Sequence, residues 1–572
     1  MSTMRVPKEI CSSLGELAQR FWEFQCHEFP LLAIQAGRKT ADAVLLRGAP
    51  EDFERRCNAA GDFRRTLEQI PEQSLDAQDW ATHRLLRREL DDLRDFYRVR
   101  AHERPSLFPM GPEFVTLSFA NTATLTSLDA AELYVERLAG LAAYWPQLVA
   151  NLRAGYAGGC RYPRQMLKNA AASVRAALAG DVDSLAWLSP FRRTALKGAK
   201  IDQLAMRARQ VMGVELVPAL TAYAEYLEGP LANGARESVG CTEAPDGEEL
   251  YRVLMRHFTT MDLSADQVHE LGQREVARLE AEMGVAACEA GFKGNLPGYR
   301  RYLNTDPQFI APSKEALLEQ IEVLSKRIDL KIPAFFGRIP RITYGVQQMS
   351  EAASALLFPA YAQPSPADCS GPGVHWVTGI PVKLPSFMHV PMALHEAWPG
   401  HLMHLGLIQE MADLPDFRRF GALGYSACLE GWALYCEGLG VEMGLYRTPH
   451  QTYGRLDMEM WRACRLVVDT GLHTRGWTRS EAIDYMAANM ALPLPTIESE
   501  VDRYIGMPAQ ALAYQIGVLK FRELRARAER RLSERFDVRA FHDQLLAAGP
   551  VTLPVLERLT DDYLSRSLDR GG

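Results

Sequence analysis

The residues with the clearest chemical potential lie in the heptapeptide HEAWPGH, from His395 to His401. Two imidazoles beside a glutamate suggest a metal site. Neutral imidazole nitrogens are good zinc ligands, and a neighbouring carboxylate, here Glu396, can act as general base toward a water. The helical form of such a site spaces its histidines four apart, about 40° from each other around the axis. His395 and His401 are six apart, which on a straight helix would separate them by about 120°. Pro399 and Gly400 change that expectation. Proline removes the amide that would bond the His395 carbonyl, and glycine tolerates the backbone angles that result. A two-residue bulge at the Trp-Pro-Gly step would bring His401 back onto the face of His395.

A site with two histidines needs a third protein ligand and one open position. LEGWALYCEGLGVE places Glu430 and Glu437 seven apart, nearly on one face of one helix. Glu430 is the first candidate and Glu437 the second. Glu437 has an alternative use, as hydrogen-bond partner to the far nitrogen of a ligating histidine. His404, one turn beyond His401, reads as structural.

Amide hydrolysis develops an oxyanion, which a tyrosine hydroxyl or an imidazole can stabilise. His473 in DTGLHTRGWT, and Tyr504 and Tyr514 in RYIGMPAQALAY, are the candidates. Arg462, Arg465 and Arg503 are of the type that grips a substrate carboxylate through a bidentate fork. Asp469 is expected to consume Arg465 in an ion pair, and Gln510 to orient the tyrosines.

The elements that must carry these residues read mostly as helices. Apolar residues recur at three and four through 130–156. Ser264 and Gln267 form a capping box that opens a helix expected to end at Gly284. The segment 51–104 is rich in Arg, Asp and Glu, as a solvated helical face with i,i+4 pairs would be. Small and turn-forming residues at 234–249 suggest a linker between an N-terminal helical region, 1–240, and a catalytic region, 241–572. The alternating run VHWVTGIPV at 374–382 is the best strand candidate, and Pro381 would place it at a sheet edge.

Composition fits a large soluble enzyme. The chain has 572 residues, 47% apolar and 24% charged, with a formal net charge of −7. That charge, without a dense Lys/Arg stripe, argues against a nucleic-acid binder. No run of about 18 apolar residues could span a bilayer. The N-terminus looks like the start of an amphipathic helix and not a secretory signal, so the expected location is cytoplasmic. The ten cysteines are scattered without a C-x-x-C pair, which excludes a thiolate zinc site and a disulfide framework.

HEAWPGH, LEGWALYCE, WRACRLVVDTGLHTRGWT and RYIGMPAQALAYQIG, in this order, resemble the bacterial family known as domain of unknown function 885. The likeness extends upstream through EELYRVLMRHFTTMDLSADQVHELG to about residue 248. That family is similar to metallopeptidases of the thimet oligopeptidase and angiotensin-converting enzyme type. The resemblance implies a mainly α fold: a large helical body with a deep active-site cleft and a small β-sheet beside the zinc helix. It implies Zn2+ held at His395, His401 and Glu430, with Glu396 as base, and substrate laid along the strand at 374–382. Leu402 stands where relatives often have a second consecutive histidine.

The function expected from these readings is zinc-dependent hydrolysis of amide bonds in short peptides. A dedicated amide hydrolase for a small metabolite is the nearer alternative. A metal-free helical binding protein is the more distant one.

Overall fold

The computed structural model describes residues 8–38, 42–356, 358–421 and 424–569. It is mainly helical, with one small sheet of three strands. The N-terminal segment forms the expected helix over Lys8–Glu28. The apolar spacing at 130–156 forms one helix, Leu128–Ala157, which continues through Pro146. In 51–104 the helices Pro50–Leu67 and Ala77–Arg98 carry i,i+4 ion pairs such as Arg64–Glu68 and Arg88–Asp92.

Apolar packing divides the chain differently from its sequence order. Residues between Leu45 and Leu231, mostly beyond Leu107, pack around Trp145, Trp187 and Tyr223 as one core. Helices from Leu14 to Leu90 instead share a core with residues 328–564, around Trp22, Trp432 and Phe521. The segment at 234–249 is tied down on both sides. Arg236 bridges to Pro163, and the Cys241 amide donates to His473.

Seven helices position the residues of interest. Helix α1 (Ala265–Glu289) starts at the expected capping box, with the Gln267 amide donating to Ser264 Oγ at 3.2 Å. It runs past Gly284, whose added Cβ would meet nothing within 4 Å, and stops before Gly291 at φ +75°. One solvent-facing glycine costs a helix only about 1 kcal/mol, so five further helix-compatible residues carry it on. The others are α2 (His389–Glu396), α3 (His401–Glu410), α4 (Ser426–Glu442), α5 (Pro449–Thr474), α6 (Leu494–Gly506) and α7 (Ala513–Leu532). Helix α1 packs along α5, and α4 packs on both α2 and α7.

The α4–α7 contact is unusually close. A Cβ on Gly431 would lie 2.5 Å from the backbone of Gly517, and one on Gly517 would lie 2.1 Å from the Ala427 carbonyl oxygen. Only glycine at both positions lets the two backbones touch. This crossing brings Tyr514, one turn before Gly517, toward Glu430.

The sheet comprises β1 (Tyr344–Gln348), β2 (Ala360–Gln363) and β3 (Gly373–Val377), in the order β1-β3-β2. Strand β3 is parallel to β1 and antiparallel to β2. The expected strand thus lies at the centre of the sheet, not at its edge. It ends at Val377, before Pro381 opens a 3-10 turn, so proline's missing donor never meets a neighbouring strand. With both sides of β3 paired, a substrate could add only to β1 or β2. The sheet packs against α2 and α3.

Candidate metal centre

Helix α2 ends at Glu396 and α3 begins at His401, so the heptapeptide is a break between two helices instead of a bulge within one. The Trp398–Pro399 peptide is cis. Gly400 sits so close to the preceding turn that an added Cβ would lie 2.0 Å from the His395 carbonyl oxygen. Trp432 of α4 donates its indole N–H to the Pro399 carbonyl at 2.9 Å and pins the turn from outside. Two redirected helices therefore do what one straight helix cannot. The rings of His395 and His401 face each other edge to face, with centroids 4.8 Å apart.

Between them comes Glu430. Its Oε2 lies 3.4 Å from Nε2 of His395 and 3.4 Å from Nε2 of His401. That oxygen is buried and makes a well-formed hydrogen bond to neither. Tetrahedral coordination with bonds of about 2.1 Å sets neighbouring donor atoms about 3.4 Å apart. Two of the three donor pairs have this spacing and all three atoms lie within 4.8 Å of one another, an arrangement that fits a divalent cation. Among the described residues this is the one such group of His, Cys, Asp or Glu side chains. The side chains are 4% exposed at His395, 14% at His401 and 20% at Glu430, so the open approach lies on the His401–Glu430 side.

Glu437, the second candidate ligand, stands behind His395 and accepts from its Nδ1 at 2.8 Å. A carboxylate can only accept here, so Nδ1 carries a proton and Nε2 is the nitrogen turned toward Glu430. Arg462 comes within 3.6 Å of the same Glu437 oxygen.

The electrostatics match this arrangement. Burial opposes the charge on His395, but the carboxylates of Glu430 and Glu437 outweigh it and push its pKa up to about 9, so the ring holds both protons at neutral pH until a cation displaces the one on Nε2. Burial likewise opposes the charge on Glu430, yet His401 and His395 hold its carboxyl well below the usual range. Glu396 moves the other way. Burial raises its pKa against the opposing pull of His395 and His401, with Glu430 adding to the rise. A base with a raised pKa holds a proton more readily, as proton transfer near neutral pH requires.

The oxyanion candidates separate cleanly. His473 is buried, with Nδ1 accepting from the Cys241 amide at 3.1 Å and Nε2 donating to the Tyr504 carbonyl at 3.0 Å. Both nitrogens are committed to main chain, and burial pushes its pKa down to about 4. The Tyr504 hydroxyl donates to Glu500 at 2.7 Å and accepts from Trp461 and Arg465. These two residues brace the frame. Tyr514 is half-buried and close enough to Glu430 for that carboxylate to raise its pKa, after burial as the larger cause. Of the three, Tyr514 is the one the structure brings to the centre.

Arg465 pairs with Glu500 at 3.0 Å and not with Asp469. Asp469 is taken up by the Tyr251 hydroxyl at 2.6 Å and the Ala509 amide at 3.1 Å. Both Arg465 and Asp469 lie on α5, but four residues apart on a buried helix they point to different partners. Arg503 also binds Glu500, and its Nη1 donates to Gln510 Oε1. Gln510 is in turn within hydrogen-bonding reach of Tyr514. Glu500, the shared anchor, was not among the sequence candidates. Its signal was its place three and four residues before Arg503 and Tyr504 on one helix. His404 is buried beside Trp432, away from the ligand role, as expected.

Residues 30–559 match the family described as bacterial protein of unknown function, DUF885. The chain belongs to the DUF885 family. A crystal structure described as "the putative lipoprotein from Colwellia psychrerythraea" superposes with a TM-score of 0.89 at 25% identity, covering 98% of this chain and 99% of that one. Another solved structure, described as "a putative lipoprotein of unknown function from Shewanella oneidensis", has a TM-score of 0.71 at 18% identity, covering 96% of this chain and 99% of that one. The DUF885 fold thus extends over essentially the whole chain. No protein with a curated function matches it. No described helix of this DUF885 member is long and apolar enough to cross a membrane.

Proposed function

We propose that this DUF885 protein is a zinc-dependent hydrolase of amide bonds in short peptides, of the metallopeptidase type. The observation that carries the reading is the convergence of His395 Nε2, His401 Nε2 and the unpartnered Glu430 Oε2, with Glu396 alongside.

His395, His401 and Glu430 would hold the zinc, which supplies Lewis-acid polarisation of the scissile carbonyl and a lowered pKa for water. The protein's own groups do the rest. Glu396 takes the proton from the attacking water and delivers it to the leaving nitrogen. Glu437 keeps the proton of His395 on Nδ1 and so keeps Nε2 available. The Tyr514 hydroxyl, on the half-buried side of the centre, donates to the developing oxyanion. The outer edges of β1 and β2, which pair with no further strand among the described residues, offer main-chain groups to an extended peptide.

The test is metal content and turnover on the same preparations. Wild type should carry about one zinc per chain, since the site has one trio of donors. Glu396→Gln should keep the metal and lose nearly all turnover of a short-peptide library, whereas His401→Ala should lose the metal. Full activity in Glu396→Gln, or no zinc uptake by wild type, would overturn the reading.

A further inference from the structure

Three guanidinium groups are buried side by side next to the metal trio, and they are short of carboxylates. Arg465 and Arg503 both bind the single carboxylate of Glu500. Arg462 has only Glu437, at 3.6 Å, and that oxygen already accepts from His395. Two N–H groups of the cluster, Nε of Arg462 and Nη1 of Arg465, are buried without a hydrogen-bond partner.

Aromatic rings account for part of this. Both Arg462 and Arg465 lie over Trp461, at 4.8 and 4.6 Å, and Arg465 lies 4.3 Å from the Tyr514 centroid. A ring face attracts a cation, but more weakly than a carboxylate does, and leaves the in-plane N–H groups unsatisfied. A buried positive charge in excess of its partners is expensive to keep for structure alone.

The surplus is placed where a ligand can use it. Arg462 lies within electrostatic reach of Glu430, as does Tyr514, which also feels Arg465 and Arg503. The less buried neighbours of the cluster lie on the side of Gln510, Tyr514 and Phe358. There Gln510 and Tyr514 are half-buried, and Phe358, 42% exposed, holds its ring 5.8 Å from the Arg503 guanidinium.

We propose that Arg462, Arg465 and Arg503, fronted by Gln510 and Tyr514, form an anion subsite that takes a carboxylate of the substrate. The proposal rests on reading the adjacent trio as a hydrolase centre, and it narrows the substrate to peptides bearing a carboxylate near the scissile bond. The carboxylate enters between Phe358 and Gln510 and competes with Gln510 for the planar edge of Arg503. Its charge balances the surplus cation. It comes from a free C-terminus or from an acidic side chain, and the chemistry of recognition is the same for both.

The test measures binding, not turnover. Full-length Glu396→Gln, supplied with zinc, is titrated calorimetrically with acetyl-trialanine, with its C-terminal amide, and with that amide carrying glutamate or glutamine as its last residue. At least one carboxylate-bearing probe should bind about 30-fold more tightly than its neutral counterpart, the range for hydrogen bonds to a charged group. A preference for the free acid identifies the C-terminus as the source, and a preference for the glutamate amide identifies a side chain. Adding Arg503→Met should abolish the preference, and Arg503→Lys should keep part of it. The comparison among probes stands even if the methionine variant folds poorly. Equal binding of charged and neutral probes, or no binding by any of the four, overturns the subsite. Zinc content of the wild-type preparation reports separately on the hydrolase reading. Zinc uptake without discrimination sinks only the subsite, while discrimination without zinc uptake sinks only the hydrolase.

Discussion

Glu437 accepts a hydrogen bond from Nδ1 of His395 at 2.8 Å, and this contact decides which nitrogen faces the other donors. Without it the imidazole is free to take the other tautomer or to turn. Partners of this kind typically contribute 10–100-fold to metal affinity. Glu437→Ala should therefore weaken zinc binding by about 10–100-fold, whereas Glu430→Ala should abolish retention during dialysis. Competition with a chromogenic chelator measures both. Equal losses in the two variants would make Glu437 a ligand and not a support.

How much of this was visible beforehand follows from the range of each signal. The trio was legible because histidines are few, 13 in 572 residues, and the helical arithmetic around Pro399 is local. The assignment of Glu430 and Glu437 to different roles was legible only as an alternative, since both share a face of α4. The functions of His473 and Tyr504 were not legible. Their residue types suit chemistry, but the Cys241 amide, the Tyr504 carbonyl and Glu500 occupy them, and those partners come from distant segments. The central place of β3 was hidden for the same reason, because its neighbours Tyr344–Gln348 and Ala360–Gln363 have little alternation of their own. Helix boundaries erred where a single residue, Gly284, was read as a stop although nothing around it forbids continuation.

Gly400 is the residue on which the redirected helix depends. With a Cβ placed 2.0 Å from the His395 carbonyl oxygen and 2.4 Å from that of Leu394, any side chain forces the turn open. Overpacking of this kind costs about 1–3 kcal/mol, and here the backbone that must move carries His395 and His401 of the proposed trio. Gly400→Ala should lower thermal stability and zinc content together. Trp432→Phe, which removes the indole donor to Pro399 and shrinks a fully buried ring, should cost about 2–4 kcal/mol and leave most of the zinc bound. Calorimetry beside metal analysis checks both, and a Gly400→Ala protein with normal metal content would refute the argument.

Asp469 supports the segment that leads into Tyr514. Both its oxygens accept from the Ala509 amide at 3.1 Å, and Ala509 itself sits at φ +67°, in the left-handed region that disfavours a side chain. That conformation places Gln510 and the start of α7. Asp469→Ala leaves the Ala509 amide and the Tyr251 hydroxyl without their acceptor, at about 1–3 kcal/mol for each group stranded in the interior. The variant should lose turnover through kcat while retaining zinc, because neither the trio nor its turn touches this contact. Loss of metal in parallel with activity would show that the support reaches further than the α6–α7 connection.

Far from the trio, Glu113 gives a prediction about pH. Its carboxyl is fully buried, and neither oxygen makes a well-formed hydrogen bond. Burial pushes its pKa from 4.5 up to about 7, against lowering contributions from its own amide and Ser173. An acid whose pKa is raised on folding favours the native state while protonated in both states, below about pH 4.5. That contribution is lost as pH rises toward and through 7, where the unfolded chain ionises freely and the folded one resists. Glu113→Gln removes the titration but keeps the shape. The stability difference between variant and wild type should therefore grow in favour of glutamine between about pH 5 and pH 8. Denaturant unfolding of both proteins across that window measures it. A difference that does not change with pH would mean that Glu113 is ionised in the folded state throughout, held by partners that the packing around Gly111 and Ser173 does not supply.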